Sequence, residues 1–141
     1  MRRYLLTAAL FAALACSNST AADDPLLVVE TSRHAYVTGD TINVVTRNIG
    51  AVALTYGLCR SELERHAGNR WVGRSQLPAG SACLDIGHRL APGDTASNWI
   101  VLARDAPVGV FRLVVPFTVN GETGYRPRTR ASNLFFVRGA P

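Results

Sequence analysis

The run VFRLVVPFTV, Val110 to Val119, constrains the chain more than any other stretch. It places Phe111, Leu113, Val115, Phe117 and Val119 on one side of an extended backbone and Arg112, Pro116 and Thr118 on the other. Successive side chains of a strand point to opposite faces, so this period of two describes a strand with one buried face. Such a strand needs neighbours on both edges and a second apolar layer over its face. Asn120-Gly121 then supplies the residues of a turn.

The rest of the chain reads the same way. Leu26 to Ser32 forms a first strand, and Tyr36 to Asp40 is a turn leading into the strand TINVVTRNIG, which reverses at Asn48-Ile49-Gly50. Ala51 to Gly57 follows as a strand, and Arg60 to Val72 reads as a hairpin bending at Gly68-Asn69. Residues 73–87 have little periodicity and read as a long loop. His88 to Ala103 contains the Pro92-Gly93-Asp94 turn and a strand through Trp99, Asp105 to Gly109 forms another turn, and Asn133 to Arg138 closes the chain as a strand. Seven or eight short strands with turns every eight to twelve residues predict an all-β, antiparallel β-sandwich, with a closed barrel as the competing architecture. Trp71 and Trp99 are expected in its core. A length of 141 residues, 48% of them hydrophobic, suits one such domain over residues 26–138 and argues against a disordered chain.

The charge of +5 says little about partners. Arg2 and Arg3 belong to the extreme N-terminus, and without them 13 arginines face 10 acidic residues, leaving +3. Every basic residue is Arg and none is Lys, a uniformity that points to codon usage rather than to a phosphate-binding surface. No specific nucleic-acid partner is expected.

Met1-Arg2-Arg3 is a positive start, and Tyr4 to Leu14 is an uncharged, mostly apolar run of 11 residues. That is the layout of a secretory signal and too short to cross a bilayer as a helix, which takes about 20 residues. Ala13-Leu14-Ala15-Cys16 resembles the bacterial lipobox, with small residues before a cysteine, although Ala13 stands where the pattern prefers Leu. The resemblance implies cleavage after residue 15, a diacylglyceryl thioether on Cys16 and an N-acylated new terminus. Ordinary cleavage after an alanine, with Cys16 left as a thiol, is the alternative. Residues 1–15 then form a signal peptide and residues 16–25, SNSTAADDP after the cysteine, a flexible tether. Ser17 in place of Asp at the position after Cys16 favours the outer membrane where there are two membranes. The expected location is therefore the cell envelope, held by lipid and facing the periplasm or the surface.

Export changes the meaning of the remaining cysteines. With Cys16 carrying lipid, Cys59 and Cys83 become a candidate disulfide closing a 25-residue segment. In the chain-entropy model such a bridge stabilises by about 3.5 kcal/mol. Metal ligation would need closer ligands than His66 and His88 provide, so no metal or other cofactor is expected.

Asn48, Tyr56-Gly57, Leu63-Glu64 and Gly68-Asn69-Arg70-Trp71 occur in an order that resembles the bacterial immunoglobulin-like domains of secreted and lipid-anchored proteins. The later LAPGD, APVGVFRL and SNLFFV segments match that family's Pro-Gly turn, the lead-in to its next strand and its closing strand. The resemblance covers Leu26 to Val137 and implies an Ig-like sandwich with no shared enzyme chemistry. Phe111 stands where a corner tyrosine is often found. A looser similarity to BsuPI-type proteinase-inhibitor domains stops at the NG and PGD turns.

No HExxH, GxSxG or P-loop is present, and His34, His66 and His88 are far apart in sequence. Ser81, Asp85 and His88 within one loop are a common coincidence, so no enzyme activity is expected. Arg126, Arg128 and Arg130 form one charge cluster, readable as a patch for an anionic partner or as a solvated loop. The expected function is a lipid-anchored, non-catalytic binding or structural module for an envelope protein or glycan. The alternative is a proteinase inhibitor presenting the 73–87 loop.

Overall fold

The computed structural model describes residues 26–75, 87–124 and 126–141. The proposed signal peptide and tether, with Cys16, lie outside them, as do Cys83 and residues 76–86.

The fold is an all-β sandwich. Its strands are β1 (Leu27–Thr31), β2 (Ala35–Val37), β3 (Thr41–Asn48), β4 (Leu54–Tyr56), β5 (Glu62–Ala67), β6 (Arg70–Ser75), β7 (His88–Leu90), β8 (Thr95–Val101), β9 (Gly109–Val119), β10 (Arg128–Ala131) and β11 (Phe135–Arg138). A small sheet has the order β1-β3-β8. The large sheet runs β2-β11-β9-β4-β7, with β10 and β5 also on β9 and β6 on β5. Two separate sheets replace the barrel alternative. All pairings are antiparallel except β2 with β11, which is parallel.

The alternation read in β9 is the spine of the core. Phe111, Leu113, Val115 and Phe117 are buried and the residues between them are not. Burying each such side chain is worth about 1.5–3 kcal/mol. Facing them across the sandwich are Leu27 and Val29 of β1, Ile42 and Val44 of β3, and Ile100 of β8 with Leu102 beyond it.

There are more strands than the sequence suggests because β9, 11 residues long, carries two strands on each edge. β4 pairs its end at Val119–Phe117 and β5 its part from Val114 to Phe111, while β10 and β11 divide the other edge. Between β4 and β5 the chain leaves the edge in a 3-10 turn, Leu58–Arg60, closed by the Ser61 N–H on the Leu58 carbonyl at 3.0 Å.

Pro116 explains the break. Leu113 exchanges hydrogen bonds with Ser132, its N–H donating to Ser132 Oγ and its carbonyl accepting from Ser132 N–H. Odd residues of β9 therefore turn their backbone groups toward β10 and even ones toward β4 and β5, as the Asn120 N–H to Ala53 carbonyl bond of 2.9 Å confirms. Pro116 is even and has no N–H, so the edge is interrupted where a partner strand would lack a donor.

Two expectations need correction. Residues 73–75 do not begin a loop: β6 continues to Ser75, with Gly73 opposite Glu64. Neither tryptophan lies in the core: Trp71 is half-buried, and Trp99 is 66% exposed. For Trp99 parity decides this, since Asn98 and Ile100 point inward from β8 and leave Thr95, Ser97, Trp99 and Val101 on the outer face.

Candidate functional site

The outer face of the large sheet carries the most organised polar chemistry among the described residues. Register puts His66 opposite Trp71, and Glu64 between Gly73 and Arg112. Arg112 Nε donates to Glu64 Oε2 at 2.6 Å, with both side chains only 19% exposed. The same guanidinium lies 4.3 Å from the centre of the Trp71 ring, and His66 meets that ring edge-on at 5.0 Å. Gly73 leaves this row open, because a Cβ there would lie 2.5 Å from Glu62 Oε2. Trp71 is thus half-buried by a cation and an imidazole rather than by the apolar core.

Further along the same face, the β4–β5 break opens a cavity of about 280 Å³ lined by residues including Tyr56, Gly57, Arg60, Gly87, Pro116 and Thr118. Thr55 closes its end through an Oγ1–H bond to Asn120 Oδ1 at 2.8 Å. The cavity combines hydroxyls, a guanidinium and a proline ring beside an interrupted sheet edge. It can receive a small polar group or a segment of extended chain.

The other residues singled out in the sequence are dispersed. Cys59 sits in the 3-10 turn beside this cavity, and Cys83 lies outside the described residues. Arg126 is exposed. Arg128 and Arg130 belong to β10 and are half-buried, paired in register with the buried Phe117 and Val115, so their stems follow the inner edge of the sandwich. Arg128 is ion-paired to Glu122. His34 and His88 are exposed and well separated by topology, His88 lying against Tyr56 with ring centres 5.6 Å apart. Among the described residues no group of three or more His, Cys, Asp or Glu is placed to hold a metal. No helix among them is long and apolar enough to cross a membrane.

The motif residues of the Ig-like resemblance hold the two sheets together. Asn48 is fully buried: its Nδ2 donates to the Val52 and Leu90 carbonyls at 2.8 and 3.0 Å, and its Oδ1 accepts from Gly50 N–H. Tyr56, 1% exposed, accepts from Asn98 Nδ2 at 2.8 Å. Asn133, in the closing SNLFFV, grips Thr31 through the backbone N–H at 2.7 Å and Oγ1 at 3.0 Å. The Arg112–Trp71 stack has little signature in the sequence beyond the outward positions of Arg112 and Glu64 on their strands, because it depends on the register of β5 with β6 and β9.

No protein-family model and no curated protein matches the chain. Similar solved structures include the sporulation control protein Spo0M from Bacillus subtilis, with a TM-score of 0.44 and 15% identity over 81% of this chain and 49% of that one. Another is PapD-like domain 7 of human CEP192, an ASH domain, with a TM-score of 0.41 and 12% identity over 98% of both chains. A third is a family 123 glycoside hydrolase from Clostridium perfringens, with a TM-score of 0.41 and 11% identity over 82% of this chain and 28% of that one. The chain spans about half the length of Spo0M. The fold is a β-sandwich.

Proposed function

We propose that this chain is a lipid-anchored protein of the bacterial envelope whose sandwich acts as a non-catalytic binding module, using the outer face of its large sheet. The observation that carries the reading is the separation of tether and face. Leu26, where the tether joins, bonds through its carbonyl to Ile49 N–H, at the end of the small sheet that also holds the Pro92-Gly93-Asp94 turn. The Trp71–Arg112–Glu64 stack and the cavity lie on the other sheet; the stack sits toward the far end of β9, and the cavity, at Thr55 and Thr118, toward the end that Leu26 approaches. A chain held at Cys16 would leave that face available to an envelope protein or glycan.

The anchor rests on the lipobox-like Ala13-Leu14-Ala15-Cys16 and the preceding apolar run. The Cys59–Cys83 bridge belongs to the same reading, and it is supported by the engagement of Cys59, which is not without a partner. It would tie the 3-10 turn, and with it one wall of the cavity, to the segment following β6.

A photoreactive residue placed at Thr118 in intact cells tests the binding face. Crosslinks to another envelope component from Thr118, and none from Glu30 on the opposite outer face, are the expected outcome. Crosslinks from Glu30 alone, or from neither position, would overturn the assignment of the face. Cell fractionation tests the anchor: the wild-type chain is expected with membranes and Cys16→Ser in the soluble exported fraction, and equal distribution of the two would refute it.

A further inference from the structure

We infer that the free edge of β8 is a self-association site, at which two copies pair their β8 strands antiparallel and join the two small sheets into one six-stranded sheet. Asp94 carbonyl and Leu102 N–H both bond toward β3, to Asn48 N–H and Asp40 carbonyl, so even residues of this stretch face β3. The backbone N–H and C=O groups of Thr95, Ser97, Trp99 and Val101 consequently point away from the sheet. Among the described residues no strand but β3 pairs with β8.

Sheet edges of this length are ordinarily blunted by charge, proline, a bulge or a covering group. The other edge strands here are blunted. β6 carries Arg70, β7 Arg89, and β10 Arg128 and Arg130. β2 has only three residues, and at β1 the Thr31 N–H is taken by Asn133. β8 has the sequence TASNWIV: seven residues with no charge and no proline. In a chain of net charge +5, it is the edge at which two identical strands meet without like charges opposing each other.

A two-fold axis through Asn98 sets Thr95 against Val101 of the second copy and Ser97 against Trp99 of the second copy. Every open N–H and C=O from 95 to 101 then gains a partner. The two exposed Trp99 rings become diagonal neighbours on one face, within aromatic reach, and each shields the other. The flanks complement as well: antiparallel pairing brings the Asp94 end of one copy beside the Arg104 end of the other, and Asp105 is already engaged.

Sedimentation velocity of the exported chain carrying Cys16→Ser, over about 1 μM to several hundred μM, tests the proposal without any contribution from lipid. Hydrogen exchange is followed over the same range. The expected result is a monomer–dimer equilibrium in which the amides of Thr95, Ser97, Trp99 and Val101 slow at least tenfold as the dimer fills. Trp99→Lys, at an exposed position that leaves the core untouched, should abolish dimerisation while retaining the circular dichroism and Tm of the parent. Ser97→Pro, which removes an outward donor only, should act likewise. A monomer at all concentrations, or a dimer that leaves the four amides unprotected or persists in Trp99→Lys, would overturn the proposal. So would protection that appears only when an extended peptide from another protein is added. The outcome is independent of the outer face of the large sheet, so the two readings fail separately.

Discussion

The side-chain amide of Asn48, at the end of the small sheet's central strand, donates a 3.0 Å hydrogen bond to the carbonyl of Leu90 in the large sheet. Its other N–H and its oxygen hold Val52 and Gly50, so one buried amide fixes both the turn after β3 and the approach of β7. Asn48→Ala would leave three backbone groups short of partners. A cost of about 2–4 kcal/mol is expected from the penalty for unsatisfied buried groups, read as a lower urea midpoint at unchanged m-value. Asn48→Asp should cost a comparable amount, since a carboxylate cannot donate to Val52 and Leu90.

A second inter-sheet contact joins Tyr56 to Asn98. Tyr56→Phe keeps the ring in the core but strands the Asn98 amide, and a loss of about 1–2 kcal/mol is expected in equilibrium unfolding. A double-mutant cycle with Asn98→Ala should give a coupling of about 1 kcal/mol. Additive effects would mean that the hydrogen bond does not contribute.

Much of this architecture is legible in the sequence. The alternation in β9, the two-residue bend at Gly68-Asn69 with positive φ at Gly68, and the glycine at the Pro92-Gly93 turn follow from local chemistry alone. The size of the Trp99 side chain suggests burial, whereas its parity, set by Asn98 and Ile100, places it on the outer face. The parallel β2–β11 pair joins residues about 100 positions apart and has no local signature. The cavity depends on Pro116 falling on the even side of β9, which requires the register with β10 to be known.

The stack on the outer face predicts a spectroscopic effect. In a Trp99→Phe background, where Trp71 is the remaining tryptophan, Arg112→Ala should shift Trp71 emission to the red and destabilise by about 1 kcal/mol through the lost cation–π and ion-pair contacts. Arg112→Lys should recover only part of this, because an ammonium cannot both stack and present the same donor to Glu64. An emission spectrum unchanged in Arg112→Ala would show that the stack is not maintained in solution.

The proposed bridge predicts no free thiol at Cys59 or Cys83 in the exported protein, and two after reduction of the denatured chain. Reduction should lower stability by about 3.5 kcal/mol for a loop of this length. Reaction of either cysteine with a thiol reagent in the native oxidised protein would remove the bridge.

The most direct test of the anchoring claim is the intact mass of the chain extracted from membranes. A mature protein beginning at Cys16, heavier than its sequence by a diacylglyceryl group and an amide-linked acyl chain, is the predicted result. A chain beginning at Cys16 or at a neighbouring residue with its unmodified sequence mass would contradict it.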